Sequence, residues 1–292
     1  MFQNINLSQE DKFIIKLLFT DKRINPVDFK KINYERLVKI ASSHLVIPSI
    51  YSNLKRKKYL KFIPKDFSKY IEEIYKINHS RNKELLNEII EISKFLKNNN
   101  IKYIFLKGSS LLLGGYFDDI GDRMIGDIDL LVEKDKKKEV IKILSKNNYN
   151  SRYIYQIWDA NVNPNFINRK RLFAIDLHNR LFPKKYDYVM NSIEVFKNSI
   201  LTKDGIRVMN YQNEYEYAIY NYQISDHGSL KALYSYRKIY DIIKISNKNS
   251  IKIDDIKNNR LGSIFYGTTN ILGITKISTP KPIISGFYKN RI

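Results

Sequence analysis

The sequence predicts an α+β protein in which the segment that forms a mixed β-sheet lies between an N-terminal and a C-terminal helical region. The first hundred residues place apolar side chains at the spacing of amphipathic helices. Strand-like runs then follow at 101–106, 127–132 and 172–178, and helical patterns return after them. We therefore expect three regions, which are a helical region over 1–100, a core that carries the chemistry over 101–182 and a mainly helical region over 183–292.

The N-terminal region is predicted to begin with a helix directly after Ser8. Asp11 follows Ser8 by three residues, which is the spacing of a capping box. A second helix is expected at 34–44, and Pro48 suits the first turn of a third. The longest helical pattern covers 71–96. Its apolar stripe is formed by Leu85, Ile89, Ile92 and Leu96, with Leu86 and Ile90 widening it.

The stretch 107–132 is the most glycine-rich part of the chain. Five of the 11 glycines lie in it, at Gly108, Gly114, Gly115, Gly121 and Gly126. Glycine allows tight turns and close approaches that other residues resist. We therefore expect the chain to bend closely around a ligand here.

The beginning of this stretch is predicted to bind phosphate. Residues 101–106 are expected to form a strand that ends at Lys107, Gly108 and Ser109, and residues 110–116 a short helix. A Gly-Ser turn at the start of a helix offers backbone N–H groups and a hydroxyl to an anion, with the positive end of the helix dipole behind them.

Two carboxylates, Asp127 and Asp129, open the apolar run that reads Asp-Ile-Asp-Leu-Leu-Val. Side chains alternate across a strand, so both leave the same face, about 6–7 Å apart along it. A cation between them would relieve their repulsion, and oxygen ligands on a rigid strand suit Mg²⁺.

A third carboxylate is predicted on the strand at 172–178. Asp176 lies there between two apolar residues and shares a strand face with His178. A helix at 135–147, a strand at 153–159 and a polar turn precede it, so the strand of Asp176 is expected to be antiparallel to its neighbour in a hairpin. If this strand lies beside 127–129, Asp176 completes a site of three carboxylates.

Together these motifs resemble the nucleotidyltransferases of the DNA polymerase β superfamily. Their signature is Gly-Ser, then Asp-x-Asp on the next strand, then a third acid on a later strand. Gly108-Ser109, Asp127, Asp129 and Asp176 supply these parts in order, although the 18 positions from Ser109 to Asp127 exceed the spacing in many members. The fuller pattern, with Asp-Leu-His at 176–178, is similar to a bacterial branch of largely uncharacterised nucleotidyltransferases. The resemblance spans most of the chain and is specific around 105–132 and 174–178.

The resemblance implies the transfer of a nucleoside monophosphate from a nucleoside triphosphate to a hydroxyl group, with release of pyrophosphate. Asp127, Asp129 and Asp176 would be the catalytic and metal-binding residues for two Mg²⁺ (or Mn²⁺) ions. The nucleotide would be bound by Lys107, Gly108, Ser109, Arg123 and His178. Two of these residues have a plainer interpretation, since Arg123 could form an ion pair with Asp122 or Asp119 and His178 could be a core histidine.

The net charge of +21 leaves the acceptor open. Abundant Lys, Asn, Ile and Tyr indicate an AT-rich genome, which accounts for part of the basicity. The basic run at 55–61 is interpreted as a solvated helix end rather than a nucleic-acid contact, and a triphosphate substrate explains the remaining charge at least as well as nucleic acid. We therefore expect a small-molecule acceptor. The alternatives are a macromolecular acceptor, such as a tRNA 3′ end or a protein, and a catalytically silent nucleotide-binding module.

Composition argues against two other classes of protein. The absence of cysteine excludes disulfides and thiolate metal sites and fits a cytoplasmic location. No apolar run approaches the roughly 18 residues that cross a bilayer, so no membrane partner is expected. The C-terminal region is predicted to contain helices at 215–221 and 230–245, with His227 between them as a further candidate nucleotide contact.

Overall fold

The structure is a computed structural model that describes residues 7–151, 164–226, 234–249 and 259–274. The chain divides into two compact units, each assembled from segments that are distant along the sequence. The first contains Met1–His79, Gly121–Met124 and Ala218–Ile292, and the second contains Ser80–Ile120 and Ile125–Tyr217. The predicted boundaries at residues 100 and 182 divide the chain into three consecutive regions, and this division stays a prediction. The predicted strand at 153–159 and His227 lie outside the described residues.

The first unit is helical. Its helices are α1 (Gln9–Phe19), α2 (Pro26–Lys30), α3 (Tyr34–Ser43), α4 (Ile47–Arg56), the part of α5 (Lys65–Asn98) up to His79, the part of α9 (Tyr211–Ile224) from Ala218, α10 (Tyr236–Asn249) and α11 (Asn259–Ile271). The capping box of α1 is present, since the Ser8 hydroxyl accepts the Asp11 N–H and the Asp11 carboxylate accepts the Ser8 N–H. Pro48 lies in the first turn of α4, as its fixed φ favours.

The core of this unit is built from α1 and its neighbours. Ile14 and Leu17 are fully buried, and the Tyr236 hydroxyl of α10 donates to Asp11 Oδ1 at 2.8 Å. One residue of the basic run at 55–61 has a structural contact, because Lys57 Nζ donates to the carbonyls of Leu17 and Thr20, both at 2.7 Å. A cation at the carbonyl end of α1 compensates its dipole.

The second unit holds a seven-stranded sheet. Its strands are β1 (Tyr103–Leu106), β2 (Ile128–Val132), β3 (Asn150–Ser151), β4 (Asn165–Ile167), β5 (Ile175–His178), β6 (Ile200–Leu201) and β7 (Arg207–Val208). They lie in the order β3-β4-β5-β2-β1-β7-β6. The pairs β2–β5 and β1–β7 are parallel and the others antiparallel. The predicted α+β class with a mixed sheet is therefore confirmed.

Helices complete the second unit: the part of α5 from Ser80, α6 (Lys107–Leu113), α7 (Lys137–Lys146), α8 (Ser192–Lys197) and the part of α9 (Tyr211–Ile224) up to Tyr217. The predicted stripe of α5 is fully buried at Leu85, Ile89, Ile92 and Leu96. Ile90, expected to widen that stripe, is instead 38% exposed. Within the described ranges, none of the helices combines the length and the apolar character that a membrane span requires.

Candidate active site

The three central strands bring the predicted residues to one end of the sheet. Because β2 and β5 are parallel with Asp129 opposite Asp176, the two carboxylates leave the same face of neighbouring strands. On the other side of β2, the last residue of β1, Leu106, lies opposite Asp129. Lys107 follows Leu106 directly and therefore begins beside the same carboxylate.

Asp129 is the centre of the cluster. Its side chain is 2% exposed, and its Oδ1 lies 2.6 Å from Lys107 Nζ and 2.8 Å from His178 Nε2. Burial alone would raise the pKa of Asp129, but the hydrogen bond from His178 and the charge of Lys107 outweigh it and lower this pKa to about 2. Asp129 is therefore ionised at every physiological pH.

Lys107 is held charged by the same contact. Burial alone would lower its pKa, yet the neighbouring carboxylates of Asp129, Asp127 and Asp176 raise the pKa of Lys107 above its ordinary value. Its backbone has a φ of 52°, in the left-handed region that non-glycine residues rarely occupy. Strained backbone of this kind is concentrated at functional sites, where the surrounding structure enforces it.

Asp127 and Asp176 differ from Asp129 in their surroundings. Burial, the charges of Asp129 and Asp176 and a hydrogen bond with Asp176 together raise the pKa of Asp127 to about 6, against the opposing charge of Lys107. Asp176 accepts a hydrogen bond from Asn165 Nδ2 at 2.5 Å, across the antiparallel pair of β4 and β5. Three carboxylates thus share the site, and their mutual repulsion raises the pKa of Asp127.

These residues fit a divalent cation. Ligand atoms of Asp129, Asp176 and His178 all lie within 4.8 Å of one another. Carboxylate oxygens suit Mg²⁺ and Mn²⁺, and an imidazole nitrogen is tolerated better by the latter. Asp127, the other predicted ligand, lies outside this group of three but is close enough to both aspartates for their charges to shift its pKa.

The predicted phosphate-binding segment begins its helix earlier than expected. The sequence predicts a helix at 110–116, but α6 covers Lys107–Leu113, so Gly108 and Ser109 belong to its first turn. The turn occurs at Lys107, whose left-handed φ provides the bend without glycine. Backbone N–H groups in a first helical turn have no partner within the helix.

The two serines of α6 have different environments. Ser109 is 1% exposed, and its Oγ has no hydrogen-bond partner among the described residues. Ser110 is equally buried, but its Oγ donates to the carboxylate of Glu214 in α9. A buried hydroxyl without a partner is costly, so Ser109 is the side chain of the pair that is available to a ligand.

Arg123, predicted to contact the triphosphate, lies in the first unit. Its guanidinium is 5% exposed and makes two hydrogen bonds of 2.8 Å to the carboxylate of Asp241. The plainer interpretation of Arg123 was an ion pair, although with Asp122 or Asp119. The partner is 118 positions away on α10, which no local pattern in the sequence indicates.

Asn165 and Glu214 contact the predicted site residues but were not predicted themselves. Asn165 is the first residue of β4, opposite Asp176, whereas its polar sequence neighbours led to the prediction of a turn at this position. Glu214 lies in the run Asn-Glu-Tyr-Glu-Tyr, where apolar periodicity is nearly absent. The sequence signal that could have identified Glu214 is a pair of acids, Glu214 and Glu216, among aromatic residues, because a carboxylate is rarely buried unless it has a partner.

The mixed sheet, the Asp-x-Asp at the start of one strand and the third carboxylate on its parallel neighbour are the arrangement that the sequence predicts for a nucleotidyltransferase. The comparison with protein families agrees. The family described as "Uncharacterised nucleotidyltransferase" matches residues 30–259, and the chain belongs to this family. The predicted resemblance is thereby confirmed, and the chain is a nucleotidyltransferase.

Two solved structures are similar to the chain at low identity. The antibiotic-resistance factor ANT(2'')-Ia is 10% identical, with a TM-score of 0.42, over 65% of this chain and 95% of the other. An antigenic nucleotidyltransferase-like protein from Paracoccidioides brasiliensis is 13% identical, also with a TM-score of 0.42, over 66% and 94%. No curated protein matches the chain. These likenesses do not bear on the acceptor.

Proposed function

We propose that the protein transfers a nucleoside monophosphate from a nucleoside triphosphate to a hydroxyl group of a small molecule and releases pyrophosphate. The observation that carries the proposal is the cluster of Asp127, Asp129 and Asp176 with Lys107 and His178. Such a cluster supplies negative charge for metal ions and one fixed cation beside them. The catalytic groups act mainly by positioning and by neutralising charge, as in-line phosphoryl chemistry requires.

The three carboxylates are the proposed ligands of two divalent ions, Mg²⁺ or Mn²⁺. When bound, such ions neutralise phosphate charge and lower the pKa of an attacking hydroxyl. Asp129 is ionised and so available to a cation at any physiological pH, whereas Asp127, with its pKa of about 6, becomes available as pH rises above that value. His178 orients Asp129 through the 2.8 Å contact.

The proposed reaction forms one bond, breaks one bond and transfers one proton to Asp176 on β5. The acceptor oxygen forms a bond to the α-phosphorus, and the bond from that phosphorus to the bridging oxygen of the β-phosphate breaks. Asp176 is the proposed base for the proton of the acceptor hydroxyl, and pyrophosphate carries away the bonding electron pair. The position of Asp176 opposite Asp129 supports this role.

The triphosphate is proposed to bind at the first turn of α6. Ser109 offers a hydroxyl that has no partner among the described residues, and the N–H groups of Gly108 and Ser109 lie in the same turn. Lys107 supplies the cation, and His178 is a further proposed nucleotide contact. The proposed contact of Arg123 with phosphate rests on the sequence alone, since its guanidinium is engaged by Asp241.

The proposal is tested by incubating the purified protein with each nucleoside triphosphate labelled at the α-phosphate, in Mg²⁺ or Mn²⁺. A desalted small-molecule extract, bulk tRNA and a protein fraction serve as separate acceptors. Label in a new small product is expected, and an Asp129→Asn variant should give none. Label in RNA or protein would instead support a macromolecular acceptor. Absence of transfer from every triphosphate to every acceptor would favour a silent nucleotide-binding module.

Two parts of the proposal rest on the sequence. The cytoplasmic location is proposed from the lack of cysteine, and the small-molecule acceptor is proposed because basicity is the one feature that favours nucleic acid. Neither part affects the chemistry of the carboxylate cluster.

A further inference from the structure

A pocket lies in the sheet-containing unit, at the end of the sheet opposite to the carboxylates. Its volume is about 920 Å³, which is large enough for a small-molecule ligand. Its walls come from the end of β2, the residues after β5, the beginnings of β1 and β7, and α8.

The strand register separates this pocket from the candidate active site. Asp129 is the second residue of β2, whereas Val132, which lines the pocket, is the last. Three residues of strand span about 10 Å, and an odd separation places the two side chains on opposite faces of the sheet. None of the carboxylates of the active-site cluster lines the pocket.

The lining carries an excess of positive charge. Its five cations are Lys102, Lys134, Arg180, Lys197 and Arg207, and its three carboxylates are Glu133, Asp135 and Asp187. Two of the carboxylates are paired at long range, Glu133 with Lys102 at 3.8 Å and Asp187 with Arg180 at 3.9 Å.

Three of these cations have no carboxylate within 4 Å among the residues that the structure describes. They are Lys134, Lys197 and Arg207, which reach the pocket from three separate segments of the chain. Arg207 is half-buried and is fixed by a 2.8 Å hydrogen bond from its Nη1 to Ser199 Oγ. A held guanidinium and two lysines that line the same pocket supply the positive charge and the hydrogen-bond donors that bind a phosphate group.

The rest of the lining is made of three polar residues, Asn179, Asn191 and Ser192, and of apolar residues. Val132, Leu181 and Met190 are buried residues of the lining, while Ile193 of α8 is 75% exposed although it lines the same pocket. An isoleucine with this exposure beside a pocket offers contact area to the apolar part of a ligand.

We propose that this pocket is a second ligand site, which binds a small molecule that carries a phosphate group next to an apolar group. The site is separate from the nucleotidyl-transfer centre and does not require divalent metal. This independence from metal distinguishes it from the active site, where three carboxylates repel anions until a cation is bound.

The test measures binding of phenyl phosphate and of inorganic phosphate by calorimetry, in EDTA and about 0.15 M salt, where loosely held anions are screened. Phenyl phosphate should bind more tightly than phosphate, and Ile193→Ser should remove that difference. Lys197→Gln, at an exposed position that does not endanger folding, and Arg207→Gln should each weaken both ligands by about tenfold or more, since each removes a charge-assisted hydrogen bond.

Two matched variants locate the site. Lys142→Gln removes an exposed lysine of α7 that does not line the pocket, and it should leave the affinity unchanged. Asp127→Asn should also leave the affinity unchanged, because Asp127 does not line the pocket. If the anions were instead bound near the carboxylates, the loss of one negative charge would make them bind more tightly. Equal effects of Lys142→Gln and Lys197→Gln, tighter binding to Asp127→Asn, or no binding at millimolar ligand would overturn the proposal. These readouts do not depend on transfer activity.

Discussion

At the scale of single residues, the three aspartates of the site are not equivalent. Asp129 is paired with Lys107 and His178, whereas Asp127 is destabilised by burial and by the charges of its neighbours. The sequence alone treats the two members of Asp-x-Asp as a symmetric pair with mutual repulsion. The difference comes from Lys107 and His178, whose contacts with Asp129 depend on strand pairing.

We predict that Asp127→Asn abolishes nucleotidyl transfer but raises the melting temperature in EDTA at pH 7.5. The folded-state pKa of Asp127, about 6, exceeds its ordinary value of 3.8, so wild-type stability falls as pH rises through this window. The variant lacks that loss, and its advantage should grow from pH 4 to about 6.5 and vanish below the window. Thermal unfolding across this pH range measures it.

Asp129→Asn is the control for that prediction, because its effect on stability should have the opposite sign. The pKa of Asp129 is lowered to about 2, so its charge stabilises the folded state above its ordinary pKa, and removing it leaves Lys107 without its partner. A lower melting temperature is expected in EDTA. If both variants shifted stability in the same direction, the asymmetry described for the two aspartates would be wrong.

The serines of α6 give a second residue-scale prediction. Ser109→Ala should raise KM for the triphosphate about tenfold, because it removes one charge-assisted hydrogen bond to the phosphate. The variant should change kcat and stability little. Ser110→Ala removes a buried hydrogen bond to Glu214 and should lower the free energy of unfolding by about 1–3 kcal/mol. Steady-state kinetics and urea unfolding separate the two. Unchanged kinetics in Ser109→Ala would remove this residue from the site.

At the scale of elements, strands were predicted better than helix boundaries. The strand patterns at 101–106, 127–132 and 172–178 correspond to β1, β2 and β5, each shortened at its beginning. Hydrophobic alternation defines a buried strand face, so it identifies these elements from local sequence. The order in which strands pair depends on contacts between distant segments, and the sequence contains no local signal for it.

The start of α6 shows why a boundary was missed. Glycine is the usual residue for left-handed backbone, so the turn was expected at Gly108, but Lys107 adopts it. The glycines that follow serve packing as well as turning: a Cβ at Gly121 would lie 2.6 Å from a ring carbon of Tyr75. Only Gly115 among the glycines of this stretch has a positive φ, at 64°.

The ion pair of Arg123 with Asp241 carries the element-scale prediction. Both side chains are about 5% exposed, so removal of one charge leaves the other buried without compensation. Asp241→Asn should destabilise the helical unit by about 3–5 kcal/mol. Lys136→Gln, which breaks the half-exposed pair with Glu139, should cost less than about 1 kcal/mol. Urea unfolding of both variants decides, and equal shifts would contradict the structural role of the buried pair.

At the scale of the whole molecule, the charge of +21 gives a prediction about nucleic acid. Scattered lysines should bind tRNA and a random RNA of equal length alike, with an affinity that collapses near 0.15 M salt. Counterion release lowers the logarithm of affinity by about 0.7–0.9 per neutralised phosphate for each decade of salt. Filter binding at two salt concentrations measures it. Salt-resistant binding that prefers tRNA would instead support a macromolecular acceptor.

The way the units are threaded has a consequence for inheritance. The chain passes from one unit to the other after His79, Ile120, Met124 and Tyr217, and the first and last of these positions lie inside α5 and α9. A recombination event with one crossover would therefore join part of a unit from one protein to the rest of that unit from another protein. We expect that a gene fragment that ends at any of these positions yields insoluble product, and that productive exchange between relatives carries the two units together as one heritable block.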